Sequence, residues 1–479
     1  MRIFEIALLL LSTILPFYLS TNAYQVDRKI PLGIIGGVMI LHFVLEGYRW
    51  QMIPAYLILL ILTWFIYKKR PFFKGGWLRK IMTGIPLILF GAIAWILPYI
   101  LPVFELPTPT GKYSVGAQDI HLQTNQEEVI TTEPNDKREL MIKAWYPAQL
   151  NKEATEYYLN DGDRIGFAVK YGLPKSIFSY LNHVKTHTYV HPSVAEGQFP
   201  VLIFSHGIYS KASGYYAIIE EIVSHGYIVL NINHTYESPG ALFPDGTIKF
   251  YNKEYDREHN NQAMAEMIWV GMQNYNKAKT EEEQFVAIEH LIREYIGAEI
   301  TMRWSKDISL VIDELTKWNA SGFLANHMET SNIGVFGHSQ GGSAIGQALL
   351  EDERIKAGIN IDGVQWGPMI DTRMTKPFAL LSSDWAASHP NFNKHIYRNG
   401  STVDFYNAKL LNSGHSNFMD IPLMIRIPFL NEAGTIKANK GFKITTEMVV
   451  QFFNKYLLNQ PSNLLELSNK YPALEIEKR

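Results

Sequence analysis

Ile333-Gly334-Val335-Phe336-Gly337-His338-Ser339-Gln340-Gly341-Gly342 is the stretch on which the fold turns. The apolar run 333–336 reads as a strand, and a helical pattern starts near Ser343, so Ser339 falls on a tight strand-to-helix turn. Glycines on both sides let the backbone crowd there without side-chain clashes, and such a turn lifts the serine oxygen above the sheet as a nucleophile elbow. The start of the helix also aims backbone N–H groups and its positive dipole end at charge developing on an attacked carbonyl.

A serine hydroxyl is a weak nucleophile at neutral pH and needs a histidine base oriented by a carboxylate. In a sheet of this kind the chain order is Ser, acid, His. His415, in Ser413-Gly414-His415-Ser416-Asn417-Phe418, follows the last strand and is the best placed of the 15 histidines. His338 points elsewhere on the turn, and His389 and His395 lie in a polar loop with no strand to aim them. Two acids compete: Asp362 ends one strand and Asp384 follows the next. Topology alone leaves both open.

Outward from the elbow, short apolar runs alternate with helical patterns, as in a largely parallel sheet covered by helices. Strands are expected at 140–146, 201–205, 227–232, 333–336, 357–361, 378–381 and 403–410. The stretch 251–300 is too long for a simple crossover and reads as a mostly helical insertion covering a site. A helix at 446–458 carries Val449, Phe452, Phe453 and Tyr456 on one face and should pack on the sheet. The catalytic domain is thus drawn as 140–479, approached through a linker at 106–139 that opens with Pro107-Thr108-Pro109-Thr110-Gly111.

Before that linker the composition is that of a membrane protein. Apolar runs at 3–19, 30–45, 52–67 and 81–101 read as four transmembrane spans. Lys68, Lys69, Arg70, Lys74, Arg79 and Lys80 lie between the third and fourth with no acidic residue among them, so that link belongs in the cytoplasm. Arg28 and Lys29 join it inside, only Arg2 and Arg49 fall outside, and everything after the fourth span is extracytoplasmic. A signal peptide cleaved near Ala23 is the rival, but it would put the basic link outside. The chain to Glu105 carries ten basic and four acidic residues, the remainder 34 and 42. An acidic large domain is no partner for nucleic acid, whose phosphates require a basic face. The absence of cysteine among 479 residues excludes disulfides, thiolate catalysis and cysteine-bound metal. No zinc helix, phosphate loop or dinucleotide glycine pattern occurs, so neither metal nor cofactor is implied.

Six stretches in one order carry a closer resemblance: Ala144-Trp145-Tyr146-Pro147, Pro200-Val201-Leu202-Ile203-Phe204-Ser205-His206-Gly207, Ser224-His225-Gly226-Tyr227, the elbow, Asn360-Ile361-Asp362-Gly363, and His415-Ser416-Asn417-Phe418-Met419-Asp420. Over about 140–420 the chain resembles the plasma and intracellular type II platelet-activating factor acetylhydrolase family, a branch of the α/β-hydrolases. The resemblance implies an α/β-hydrolase fold, a Ser339–His415–Asp362 triad in preference to Asp384, and an oxyanion hole from the backbone N–H groups of Ile208 and Gln340. The chain departs from the family in two ways. The members are secreted or lipid-tethered rather than carried by four spans, and the residue after the serine, often aromatic in them, is here the polar Gln340. Trp366, Trp385 and Phe418 lie near the expected triad in sequence and are candidates for an apolar substrate pocket. The expectation is a membrane-anchored serine hydrolase cleaving lipid or short acyl esters at the outer face of the cell membrane. Its rivals are an acyltransferase using the same acyl-enzyme and a membrane sensor with a hydrolase-like binding domain.

Overall fold

The computed structural model describes residues 1–22, 27–73, 76–384 and 391–479. They form two compact units: Met1–Glu105 together with Ile177–Lys185 and Pro422–Asn431, and the rest of the chain from Leu106 onward.

The first unit is built from α1 (Ile3–Asn22), α2 (Lys29–Leu41, continued by a π-helical turn His42–Glu46), α3 (Ile53–Tyr67) and α4 (Trp77–Ile100). Four stretches, 3–20, 29–46, 50–67 and 80–100, are long and apolar enough to cross a membrane. Leu8, Leu9, Ala55, Ile58, Leu59 and Leu62 are buried between the helices. The other faces stay apolar as well, with Ile85, Ile88 and Leu89 of α4 exposed. Charges are paired where the helices end. Arg49 Nε lies 2.6 Å from Glu5 Oε1, and Glu46 accepts from the N–H groups of Phe4 (2.8 Å) and Glu5 (3.1 Å), capping α1. Two pieces of later chain belong here. Trp50 Nε1 donates to the carbonyl of Ile177 (2.7 Å), His183 Nε2 to that of Tyr48 (2.9 Å), and Arg426 N to that of Ile100 (3.0 Å). A division at residue 105 alone misses these returns, because neither segment is apolar enough to stand out.

The second unit is organised by a 12-stranded sheet. Its strands are β1 (Ser114–Glu127), β2 (Lys137–Gln149), β3 (Thr155–Tyr157), β4 (Lys185–Val190), β5 (Ser193–Val194), β6 (Phe199–Ser205) and β7 (Ile228–Asn233). A separate hairpin, β8 (Gly240–Leu242) and β9 (Ile248–Phe250), precedes β10 (Met328–His338), β11 (Ile355–Ile361), β12 (Phe378–Ser383), β13 (Phe405–Leu410) and β14 (Leu474–Lys478). The order is β14-β13-β12-β11-β10-β6-β7-β2-β1-β4-β3, with β5 on β2. From β13 to β7 all neighbours are parallel, and β6 and β7 are buried along their whole length, as a sheet covered on both faces requires.

The helices of this unit that bear on the site are α5 (Asp161–Lys170), α6 (Tyr216–Ser224), α7 (Lys253–His259), α8 (Gln262–Lys277), α9 (Glu281–Glu294), α10 (Ile296–Ala320) and α11 (Gln340–Glu351). Ile203 and Val335 pack in one core layer with Trp304 and Ile308 of α10 and Ile345 of α11. The alternate residues Phe204 and Phe336 face the other way, where Phe453 of the helix Ala438–Tyr456 lies 6.3 Å from the Phe336 ring. The stretch 251–300 is helical as expected. Side chains of Asn252, Asn261 and Thr280 cap α7, α8 and α9 in turn and cut it into separate helices.

The expected linker at 106–139 needs correction, because β1 occupies much of it and pairs antiparallel with β2 from Ser114↔Ala148 to Glu127↔Lys137. β1 buries Val115, Gly116 and Ala117 near its start and Leu122 further on, while its last five residues are half-buried or exposed. Gln118, Asp119, His121 and the polar run 123–127 gave the stretch the composition of a link. β14 escaped for the same reason, as Leu474-Glu475-Ile476-Glu477-Lys478 alternates charge with apolar residues.

Candidate active site

The elbow sits where β10 passes into α11. Ser339 takes φ +57°, ψ −121°, a conformation L residues rarely adopt, and its N–H donates to the carbonyl of Ile361 (2.9 Å). The flanking glycines are obligatory. A Cβ on Gly337 would stand 2.4 Å from the carbonyl oxygen of Gly341, and one on Gly341 2.1 Å from that of Ser205.

His415 opens a short helical turn after β13 and Asp362 follows β11, at φ +54°. His415 Nδ1 lies 2.7 Å from Asp362 Oδ2. Ser383 fixes the carboxylate from behind, its N–H donating to Oδ1 (2.7 Å) and its hydroxyl reaching both oxygens (2.9 and 2.8 Å). Burial alone would raise the Asp362 carboxyl. The His415 hydrogen bond and charge outweigh it and hold the group below its ordinary range. Asp384 is exposed, and its carboxylate accepts from the N–H of Asn412 (3.0 Å) at the end of β13.

His338 is buried beside His415, with ring centroids 4.5 Å apart. Its Nε2 donates to the His415 carbonyl (3.2 Å), and its Nδ1 accepts from the Tyr215 hydroxyl (3.1 Å). Burial pushes its pKa down to about 3, so it stays neutral next to the proposed base. The ligand atoms of His338, Asp362 and His415 lie within 4.8 Å of one another, but these hydrogen bonds already engage them. The supporting roles of His338, Ser383 and Tyr215 left no mark in the sequence, since each depends on contacts between distant segments.

Gly207 packs so closely on the elbow that a Cβ there would stand 3.2 Å from Ser339 Cβ. Ile208 follows it, and Gln340 begins α11, so both expected oxyanion amides border the serine. The Gln340 side chain points into α10, donating to the Gly297 carbonyl and to Thr301 Oγ1 (both 2.8 Å). Its polarity therefore anchors a helix. Of the expected pocket aromatics, Trp366 is half-buried, with its ring 4.8 Å from that of Tyr295. Beside this pair a cavity of about 540 Å³ is lined by apolar and charged groups alike, among them Met264, Tyr295, Met302, Arg293, Glu294 and Glu299. Phe418 is a core residue against His338, with centroids 6.1 Å apart, and not an open wall. Trp385 and His389 lie outside the described residues.

A mostly parallel sheet with a strained serine between a strand end and a helix defines an α/β-hydrolase. A ferulic acid esterase from Streptomyces cinnamoneus has this fold, with a TM-score of 0.60 at 22% identity over 78% of this chain and 99% of that one. The chain belongs to the family of platelet-activating factor acetylhydrolase, isoform II, whose profile matches residues 101–469. It is 24% identical to the platelet-activating factor acetylhydrolase of Cavia porcellus over 403 residues, spanning 80% of this chain and 82% of that protein. It is 25% identical over 304 residues to a probable 1-alkyl-2-acetylglycerophosphocholine esterase of Arthroderma benhamiae, spanning 57% and 65%. The protein is a carboxylic ester hydrolase.

Proposed function

We propose that the protein is a membrane-anchored serine esterase that removes short acyl groups from lipid esters at the outer face of the membrane. The observation that carries the reading is the 2.7 Å contact between His415 and a buried Asp362, beside a serine held at positive φ. In this mechanism the Asp362 carboxylate accepts the Nδ1–H of His415, which keeps Nε2 unprotonated so that it takes the Ser339 proton as Oγ attacks the ester carbonyl. The amides of Ile208 and Gln340 receive the oxyanion. Collapse expels the alcohol, protonated by His415, and water then repeats the sequence on the acyl-enzyme to release the acid. No cofactor enters any step.

The lipid substrate is supported by the names of the relatives and by the apolar faces of α1 to α4, which have no counterpart in a water-soluble domain. The test uses the full chain in detergent. A fluorophosphonate probe should label wild type and leave Ser339→Ala unlabelled, and only wild type should release p-nitrophenol from p-nitrophenyl acetate. Folded wild type that neither labels nor hydrolyses would demote the domain to a binding or sensor module. Transfer of the acetyl group to an added alcohol in preference to water would make it an acyltransferase.

A further inference from the structure

Beneath the elbow lies a second, sealed set of titratable groups. Ser205 Oγ is 2.9 Å from His234 Nε2, and His234 Nδ1 is 2.7 Å from Asp307 Oδ2. The order repeats that of a serine triad, yet Ser205 and His234 are wholly buried and Asp307 nearly so. Arg138 adds two hydrogen bonds to Asp307 (3.1 and 2.6 Å), and the Trp304 ring stacks on His234 at 3.9 Å. A serine that no substrate reaches is not a nucleophile. What this relay does is fix the end of β7, and with it the backbone N–H of His234, which points at the ring of His206 (3.3 Å to Nε2).

His206 stands immediately before Gly207 and Ile208, and its Nδ1 is 2.7 Å from the Gly207 carbonyl oxygen. A carbonyl only accepts and a backbone N–H only donates, so one tautomer satisfies both contacts: neutral imidazole with the proton on Nδ1. Burial keeps the ring in that neutral form by pushing its pKa down to about 3, and the neighbouring His234 acts in the same direction. The Gly207–Ile208 peptide is trans, so its C=O and its N–H point in opposite directions. Pinning the oxygen fixes the aim of the Ile208 N–H. The preceding N–H, that of Gly207, is held as well, donating to the Tyr215 hydroxyl (3.1 Å).

We propose that His206 is a positioning residue for ester hydrolysis: by donating from Nδ1 to the Gly207 carbonyl, it turns the Gly207–Ile208 peptide so that the Ile208 N–H meets the developing oxyanion. The buried Ser205–His234–Asp307 relay holds the backbone group that sets the His206 tautomer. This rests on the serine-esterase reading and adds to it the device that preorganises one of its two oxyanion donors. Misaiming such a donor weakens the transition state and leaves ground-state binding nearly intact.

Two variants of the full chain separate the hydrogen bond from the packing. In His206→Asn the side-chain amide reaches about as far as Nδ1 and keeps a donor for Gly207. In His206→Gln it reaches the position of Nε2 and leaves the carbonyl without one. Removing an oxyanion donor outright costs about a hundredfold to a thousandfold in kcat. His206→Gln, which only misaims one, should lower kcat on p-nitrophenyl acetate about 10- to 100-fold and change KM less than about twofold. Fluorophosphonate should still label one site per chain, at a rate reduced in the same proportion. His206→Asn should recover most of the loss.

A His206→Gln kcat within about twofold of wild type overturns the proposal. So does a reduced labelling stoichiometry with an unchanged rate on the remaining sites, which would make the residue purely structural. If His206→Gln does not fold, 15N-histidine NMR of wild type decides. An Nδ1–H tautomer that does not titrate near neutral pH upholds the assignment, and an Nε2–H tautomer or a titrating ring overturns it. Inactive wild type would instead sink the esterase reading, and the tautomer measurement would still stand by itself.

Discussion

Asp362 is ready for His415 before any substrate arrives, because Ser383 approaches both carboxylate oxygens and leaves Oδ2 facing the imidazole. Replacing it with Asn puts an amide where an acceptor-only group is needed, which permits the wrong histidine tautomer. Asp362→Asn should therefore lower kcat about a thousandfold or more. Asp384→Asn, at a carboxylate that ties a loop to Asn412, should stay within a few-fold of wild type. Steady-state assays of both variants check this, and the reverse ranking would reassign the acid. The serine and the histidine of the proposed triad were legible as motifs at strand ends. The acid was not, because Asp362 and Asp384 both follow strands, and only resemblance ranked them. What separates them physically is Ser383 and the turn of the backbone at Asp362, and neither leaves a sequence pattern.

At the scale of elements, α6 carries a charge problem that makes a pH signature. Glu220 is wholly buried, accepting at Oε1 from the Thr188 hydroxyl (2.7 Å) and the His187 N–H (2.8 Å), and so fastening β4. Burial pushes its pKa up from 4.5 to about 8. The folded protein thus holds this proton where the unfolded chain releases it. The contribution to stability is whole below about pH 4.5 and is lost progressively as pH rises to about 8. Glu220→Gln stays neutral throughout. Its Tm minus that of wild type should therefore grow as pH is raised from about 5 to about 8 and level off beyond, which a thermal-shift series measures. A difference that is flat or shrinks over that window would show that Glu220 is ionised in the fold. Elements were legible in proportion to their burial. β6, β7, β11, β12 and the 333–336 part of β10 are short, largely apolar runs, whereas the polar start of β10 at 329–332, most of β1 and the charge-alternating β14 read as loop.

For the whole molecule, orientation rests on how charge is distributed over the helical unit. Of the ten basic residues before Glu105, eight fall on the side of the 68–80 link and only Arg2 and Arg49 on the other. Those two are neutralised locally. Arg49 pairs with Glu5, and Arg2 lies 2.7 Å from Glu5 and 4.0 Å from Glu46. Arg28, Lys29, Lys68, Lys69, Arg70 and Lys80 are exposed, so the bias in free positive charge exceeds the bias in residue count. Positive charge is retained in the cytoplasm, and on that ground the proposal puts the link inside and the chain after α4 outside. Cleavage after α1 would reverse this, but α1 buries Leu8 and Leu9 and supplies the partner of Arg49, and the proposal therefore keeps it. A reporter active only outside the cytoplasm should work when fused after Arg479 and fail when fused after Lys74. The opposite pair of results would overturn both the orientation and the retained first helix. Because the ester bond to be cut would then lie on the cytoplasmic side, the outer-leaflet substrate would have to be abandoned with them.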